Sequence, residues 1–299
     1  MARRGSRHTA PARNYDRDVT RLIGPAGPPD LHVMTWNIRR RMTHLVKRSP
    51  DLWSRRRHLM ERLLNEERPA LLATQEALPD QARFVLEALG EGYRRVGRGR
   101  GDRGGGEGCP IFFDSRRLRL EEWSQSALSG TPAVRGSRTW GNLVPRIVVS
   151  ATFTDLATGI RFLVLNTHFD HISARSRRKS ALMVGAMAAG SGLPVIVTGD
   201  ANTGVDSPPF RALTGHSGLL DAWATAPRRV TPEWKTYSGY RAPRLGRRID
   251  WMLVSPSVEV REIGINAARF EGSAASDHEP VQALLRMPVD GAIAGIVPA

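Results

Sequence analysis

The chain has 299 residues, 40% of them hydrophobic, and sets 44 Lys and Arg against 29 Asp and Glu for a formal net charge of +15. That length suffices for one large α/β domain with a sizeable core, and no segment approaches the ~18 consecutive apolar residues of a membrane span. The single cysteine, Cys109, excludes an internal disulfide and a cysteine-based zinc cluster, and the basic N-terminus has no apolar stretch of the secretory type; a cytoplasmic setting is expected.

The charge has two readings. Lys47, Lys179 and Lys235 are the lysines of the chain, so arginine supplies nearly all the positive charge. Basic surface attracts phosphate backbones, but an Arg-, Ala-, Gly- and Pro-rich composition is also what a GC-rich genome produces without selection for a partner.

Residues 1–30 are rich in Arg, Pro and Gly and read as a flexible basic arm; a single domain is expected over 31–286 and a loose tail over 287–299. LHVMTWNI, from Leu31, is a short β-prone run that fits a buried strand. A helix is predicted at about Leu52–Glu67, with Leu52, Leu59, Leu63 and Leu64 on one face, arginines on the other and Pro69 just beyond it. PALLATQEA reads as a second buried strand, and another helix starts near Pro79 and ends at Gly90. Between Gly97 and Gly108 lies a Gly/Arg loop, GRGRGDRGGGEG. CPIFFD and LRLEEW are strand-like, and IVVSATFTD with GIRFLVLNTH forms a hairpin pattern around a Thr-Gly turn. A helix over about Ala174–Ala189, the strand LPVIVTGD and three more strands, RIDWMLVS, VEVREIGI and EPVQALL, complete the pattern. Many strands with a few interleaved helices suggest two packed sheets with helices outside.

The polar residues sit where these strands stop. Asn37, Glu76, His168, Asp200 with Asn202, and Asp250 mark strand ends or starts, and Asp277 with His278 precedes the last strand. Such groups gather at one edge of a sheet, where loops carry function on a rigid scaffold. Magnesium takes oxygen ligands and one or two carboxylates; Glu76, Asp277 and the amide oxygen of Asn37 are candidates to supply them. If TGDANTG stays extended, Asp200 and Asn202 share one side of the backbone, where an Asp can take a proton from water and an Asn can orient that water. Gly-Asp and Asn-Thr-Gly are also ordinary turn chemistry. His168 and His278 are candidates for charge stabilisation and leaving-group protonation. Asp250 is placed to orient His278 as the triad carboxylate orients its histidine, and Glu107 to do the same for His168.

TWN at 35–37, QE at 75–76, NTH at 166–168, GDAN at 199–202, RID at 248–250 and SDH at 276–278 occur in that order. This set resembles the endonuclease/exonuclease/phosphatase superfamily, from about Leu31 to Leu285. The resemblance implies a DNase-like α/β fold, a four-layer sandwich of two packed mixed β-sheets flanked by helices. It also implies a divalent-metal hydrolase using Mg2+, with Mn2+ as the alternative ion. Asn37, Glu76 and Asp277 would lie at the metal, Asp200 would act as base beside Asn202, and Asp250–His278 and Glu107–His168 would pair. The chain looks closest to bacterial members of unassigned substrate, in which strings similar to NTHFDH, DSPPF and SGTPAVRGSR…PR recur. Arg146 is therefore a candidate phosphate binder, with Asp170 and His171 near the site; a sheet-surface arginine and a polar loop are the bland alternatives. Ala201 stands where the family often has a bulky apolar residue. Cys109 stands where tyrosine is common, which puts substrate stacking there in doubt.

A nuclease-like phosphodiesterase acting on DNA or RNA is the first expectation. The alternative is a phosphatase or phosphodiesterase for a small phosphorylated metabolite, inositol phosphate or phospholipid headgroup. The complete residue set argues against a third reading, a non-catalytic module that kept the fold. A phosphate-ester substrate, nucleic acid as partner and a monomeric state are expected.

Overall fold

Alternate residues along the central strands face two different apolar layers, and that period of two builds the molecule. The computed structural model describes residues 21–288, except 44, 45 and 47. Its strands are β1 (Asp30–Asn37), β2 (Leu71–Gln75), β3 (Tyr93–Val96), β4 (Ile111–Asp114), β5 (Leu118–Ala127), β6 (Ile147–Asp155), β7 (Arg161–His168), β8 (Val195–Asp200), β9 (Leu220–Asp221), β10 (Arg228–Arg229), β11 (Asp250–Val254), β12 (Glu259–Ile265) and β13 (Val281–Arg286). Its helices are α1 (Trp53–Glu67), α2 (Pro79–Leu89), α3 (Ala174–Ala189), α4 (Pro208–Arg211), which runs into a π-helical turn, and α5 (Ala222–Thr225).

Seven strands form one sheet in the order β10-β12-β13-β1-β2-β4-β3, and six form the other in the order β5-β6-β7-β8-β11-β9. Both are mixed: β1 runs parallel to β2 and β7 parallel to β8, while β1–β13, β6–β7 and β8–β11 are antiparallel. Leu31 and Val33 of β1, Leu71 and Ala73 of β2, Phe162 and Val164 of β7, Ile196 of β8 and Met252 and Val254 of β11 meet in one cluster between the sheets. The intervening residues point outward. Met34, Trp36 and Leu72 pack on Met60, Leu63 and Leu64 of α1 and on Val85 of α2, while Leu163, Leu165, Val195 and Val197 pack on Ala181, Val184 and Ala188 of α3. The layers are helix, sheet, sheet, helix, the four-layer sandwich expected.

The same inner register carries the polar residues. Continuing it leads from Val33 to Thr35 and Asn37, from Ala73 to Gln75, from Val164 to Asn166 and His168, from Ile196 to Thr198 and Asp200, and back from Met252 to Asp250. One end of the sandwich therefore changes from apolar to polar within a single strand repeat. Immediately below the strand ends, Gln75 Nε2 donates to Thr35 Oγ1 at 3.1 Å and to Asn166 Oδ1 at 2.8 Å, and Asn166 Nδ2 donates to the carbonyls of Thr74 and Cys109. This belt ties the two sheets together beneath the candidate site.

Three sequence expectations need correction. The face of α1 assigned to arginines is not wholly solvated: Arg56 is fully buried and donates to the carbonyls of Ile38, Arg39, Asp51 and Ala275. A long side chain that satisfies backbone acceptors can enter a core where sequence periodicity would place it outside. Residues 21–30 do not behave as a loose arm: the amides of Leu22, Ile23 and Gly24 converge on the buried carboxylate of Glu67, while residues 1–20 lie outside the described part. Met287, expected in the tail, packs into the inter-sheet core, and 289–299 lie outside the described residues. The Gly/Arg loop folds back on itself, with the Gly99 amide donating to the Gly104 carbonyl at 3.0 Å. A Cβ on Gly99 would sit 2.3 Å from the Gly105 carbonyl oxygen, so the backbone approach there admits only glycine.

Candidate active site

Strand register sets the centre of the site. β7 and β8 place His168 beside Asp200, and antiparallel β11 places Asp250 on its other side. Gly199 makes this possible: a Cβ there would lie 2.1 Å from the Thr167 carbonyl oxygen of β7. Asp200 is buried, and its Oδ2 accepts from Asn37 Nδ2 at 3.0 Å, with His168 Nε2 at 3.5 Å and His278 Nε2 at 3.8 Å. Its other oxygen accepts the Asn202 amide at 2.8 Å. Burial, and then the charge of Asp250, push the Asp200 carboxyl up to about 7, against the opposing pull of His278.

His278 lies on the loop before β13. Its Nδ1 donates to Asp250 Oδ2 at 2.8 Å, and Trp36 Nε1 fixes its carbonyl at 3.0 Å. Burial opposes a charged ring, yet Asp250 and Asp200 outweigh it and hold His278 well above the ordinary histidine range. His168 goes the other way. Burial and then Arg146 and Arg100 depress it well below that range, so a neutral ring accepts from Asn202 Nδ2 at 2.9 Å through Nε2. Two histidines at one carboxylate thus hold opposite charge states.

Asn202 reaches His168 by a different route from the one its spacing suggests. The chain does not stay extended after β8; Asn202 adopts φ 53° and its backbone amide, not its side chain, binds Asp200. Its side-chain amide serves His168 and the Phe169 carbonyl instead.

On the first sheet, Glu76 follows β2 with φ 60°. Its Oε1 accepts from Asn37 Nδ2 at 3.0 Å and its Oε2 from the Arg40 amide at 3.0 Å. Burial raises its pKa, but those two donors, together with the charge of His278, bring it below the ordinary carboxylate value. The amide oxygen of Asn37, expected at a metal, is turned to the Arg39 amide at 2.9 Å. Only the amide nitrogen can donate to two carboxylates, so the oxygen faces the backbone donor. Asp277 is buried with Arg39 Nε at 3.7 Å; burial raises its pKa against the pull of His278 and Arg39.

Glu107 does not pair with His168. It binds Arg100 Nη2 at 2.9 Å and Arg40 Nη1 at 3.3 Å, and no hydrogen bond joins it to His168 among the described residues. Two guanidiniums offer the carboxylate more charge than a neutral imidazole does. Arg146 is buried, with Nε on Asp170 Oδ2 at 3.3 Å and Nη2 donating to His171 Nδ1 at 2.9 Å, while its Nη1 has no partner. Asp170 also accepts the amides of Ile172 and Ser173 ahead of α3. Trp36 and Trp251 are core side chains. Sequence reading passed over the belt of Thr35, Gln75, Asn166 and Thr198, although their place on the inner register was visible. It also passed over Arg39, Arg40 and Arg100, whose contacts depend on loops.

The ligand atoms of Asp200, Asp250 and His278 lie within 4.8 Å of one another, close enough to share one divalent ion. Against burial, Asp250 and Asp200 hold the His278 ring well above the ordinary histidine range, so a proton competes with a metal there. Glu76, ionised and only half-buried, with Asp277 across from it, is the better match to a hard cation that retains waters.

The model of the Endonuclease/Exonuclease/phosphatase family matches residues 34–278, which includes all of these groups. The chain belongs to this family. It is a phosphoesterase, a hydrolase of ester bonds. Comparison with curated proteins gives no match. Among solved structures, an endonuclease/exonuclease/phosphatase family protein from Bacteroides thetaiotaomicron is 29% identical with a TM-score of 0.80, over 86% of this chain and 94% of that one. A mannosyl-6-phosphatase from the same organism is also 29% identical, with a TM-score of 0.78 over 85% and 99% of the two chains. The human Nocturnin catalytic domain, 19% identical with a TM-score of 0.67 over 87% and 95%, shares the fold. No helix among the described residues is long and apolar enough to cross a membrane.

Proposed function

We propose that this family member is a magnesium-dependent phosphodiesterase, nuclease-like on DNA or RNA, in which Asp200 activates the attacking water. The supporting observation is the setting of one carboxylate: Asp200 Oδ2 stands 3.0 Å from the Asn37 amide, 3.5 Å from His168 and 3.8 Å from His278. A base pushed up to about 7 is poised to accept a proton near neutral pH. Asn202 holds His168 beside the same carboxylate oxygen of Asp200. His278, kept cationic by Asp250, neutralises charge developing on the phosphoryl oxygens and supplies a proton to the departing oxygen. Glu76 and Asp277 would hold the cation, with Mn2+ as the alternative ion; when bound it would polarise a phosphoryl oxygen. Arg146, with its unpartnered Nη1, binds a phosphate oxygen, while Asp170 and His171 position that guanidinium. Glu107 serves by anchoring Arg100 and Arg40 at the rim.

The excess of positive charge supports a polyanionic substrate. A second reading, a phosphatase for a small sugar phosphate, is favoured by the 29% identity to the mannosyl-6-phosphatase. Assay of plasmid, single-stranded DNA, RNA, sugar and inositol phosphates and a chromogenic phosphodiester, with and without EDTA, separates the two. EDTA-sensitive cleavage of polynucleotide, lost in Asp200→Asn, is the expected result. Turnover of sugar phosphates alone would install the second reading, and full activity of Asp200→Asn would remove Asp200 from its role.

A further inference from the structure

The loop from Lys235 to Arg244 encloses an open cavity of about 320 Å³ lined by Lys235, Tyr237, Ser238, Gly239, Arg241 and Arg244. It adjoins the candidate active site through shared backbone. The amides of Ser238 and Gly239 donate to the Asp277 carbonyl at 2.9 and 3.0 Å, and the Glu279 amide donates to Thr236. Buried Thr236 Oγ1 accepts the amides of Ile249 and Asp250. Tyr240 donates to Asp51 at 2.6 Å, and Arg269 to the Arg241 carbonyl at 2.7 Å. A loop pinned at so many points presents its side chains from a fixed frame.

Those side chains form a particular combination. Tyr237 packs against His278, ring centroids 5.1 Å apart, yet remains 53% exposed. Lys235, Arg241 and Arg244 are exposed, and none has a carboxylate partner among the described residues. The nearby acids are already engaged: Asp51 by Arg39 and Tyr240, Glu279 by Arg269, Glu233 by Arg248. An aromatic platform beside uncompensated cations is what a nucleotide requires, a face for its base and charge for its phosphate.

We infer that this cavity is a nucleotide subsite, which binds the unit flanking the scissile phosphate on the His278 side and selects single-stranded nucleic acid. The inference deepens the phosphodiesterase reading and rests on it for the position of the scissile phosphate. A base can reach Tyr237 only when unstacked, hence the preference for single strands.

The test is binding of a fluorescent single-stranded DNA 12-mer to the Asp200→Asn protein in EDTA, by anisotropy. Lys235→Glu with Arg244→Glu should raise Kd about tenfold or more and reduce the slope of log K against log salt by about two. Tyr237→Ala should raise Kd on the order of tenfold, with Tyr237→Trp restoring it. The matched reversal Arg57→Glu with Arg95→Glu, exposed on α1 and β3, should change Kd by no more than about twofold. In the protein with Asp200 intact, Lys235→Gln with Arg244→Gln should leave turnover of bis(p-nitrophenyl) phosphate unchanged. Equal losses in the α1/β3 control and the loop variants, or an unchanged Kd in the loop variants, would overturn the subsite. Loss of binding in those variants from a protein that cleaves no ester would uphold the subsite and remove the catalytic reading.

Discussion

Asp250→Asn removes one negative charge from behind His278 while keeping the shape of the side chain. The carboxylate lies 2.8 Å from His278 Nδ1, and both groups are buried. Removing one partner of a buried charged pair costs about 3–5 kcal/mol. If that cost falls on the transition state, at about 1.4 kcal/mol per tenfold the rate falls by roughly two to four powers of ten. The pH profile should move as well. Asp250 is the second cause, after burial, of the rise of Asp200 to about 7, so its loss shifts the acidic limb to lower pH. It is also the leading attraction that raises His278, so the alkaline limb shifts downward too. The assay is kcat/KM for a chromogenic phosphodiester between about pH 5 and pH 9. Stability carries its own sign. Asp200 binds its proton more tightly when folded, so its contribution is greatest below the unfolded carboxylate value of about 4 and is lost as pH rises towards 7. Asp250→Asn should narrow that loss in denaturant titrations. A near-wild-type rate with both limbs unmoved would refute the electrostatic account of the pair.

Glu76→Gln should raise the Mg2+ concentration for half-maximal activity by at least about tenfold, since a divalent site is held by one or two carboxylates; a superimposable metal titration would exclude Glu76 as a ligand. Gly199→Ala should destabilise by several kcal/mol and reduce activity, because the new methyl meets the Thr167 carbonyl oxygen at 2.1 Å and can be relieved only by parting β7 from β8. Thermal melts and the kcat of the residual folded protein check it, and an unchanged Tm would contradict the close approach. Arg56→Met should lower Tm by roughly 6–20 °C, from about 3–5 kcal/mol for four stranded carbonyl acceptors, with KM for metal rising because the loops at Ile38–Arg40 and Ala275 lose their common tie. A loss of Tm without any change in metal dependence would confine Arg56 to the core.

Strand periodicity made most of the architecture legible. Val33, Ala73, Val164 and Ile196 are apolar at the spacing that a buried inner face demands, and the polar residues that follow two positions later mark where that face opens. What periodicity does not encode is the path of the chain after the last paired residue. Asn202 and Glu76 both take left-handed backbone conformations, and each thereby reaches a partner that extended geometry would deny it. Arg56 and Glu67 escaped notice for a related reason. Both are buried charges held mainly by backbone groups, with Asp51 and Asn266 as their side-chain partners, and no spacing of side chains announces a carbonyl or an amide.

The opposite pKa shifts of His168 and His278 follow from burial and from which neighbour each strand end brings: burial and then Arg146 lower His168, whereas burial at His278 is overcome by Asp250 and Asp200. β11 delivers a carboxylate to His278 at 2.8 Å, whereas the β6–β7 edge brings the guanidinium of Arg146 towards His168. In the proposed mechanism a cationic His168 would compete with the water for Asp200, and a neutral His278 would have no proton to give. The residue identities in NTH and SDH are therefore not sufficient for the chemistry. The carboxylate of RID is the leading attraction that keeps the charge on His278, and under the proposed mechanism an otherwise intact family motif with that Asp replaced by a neutral residue should be a poor phosphoesterase.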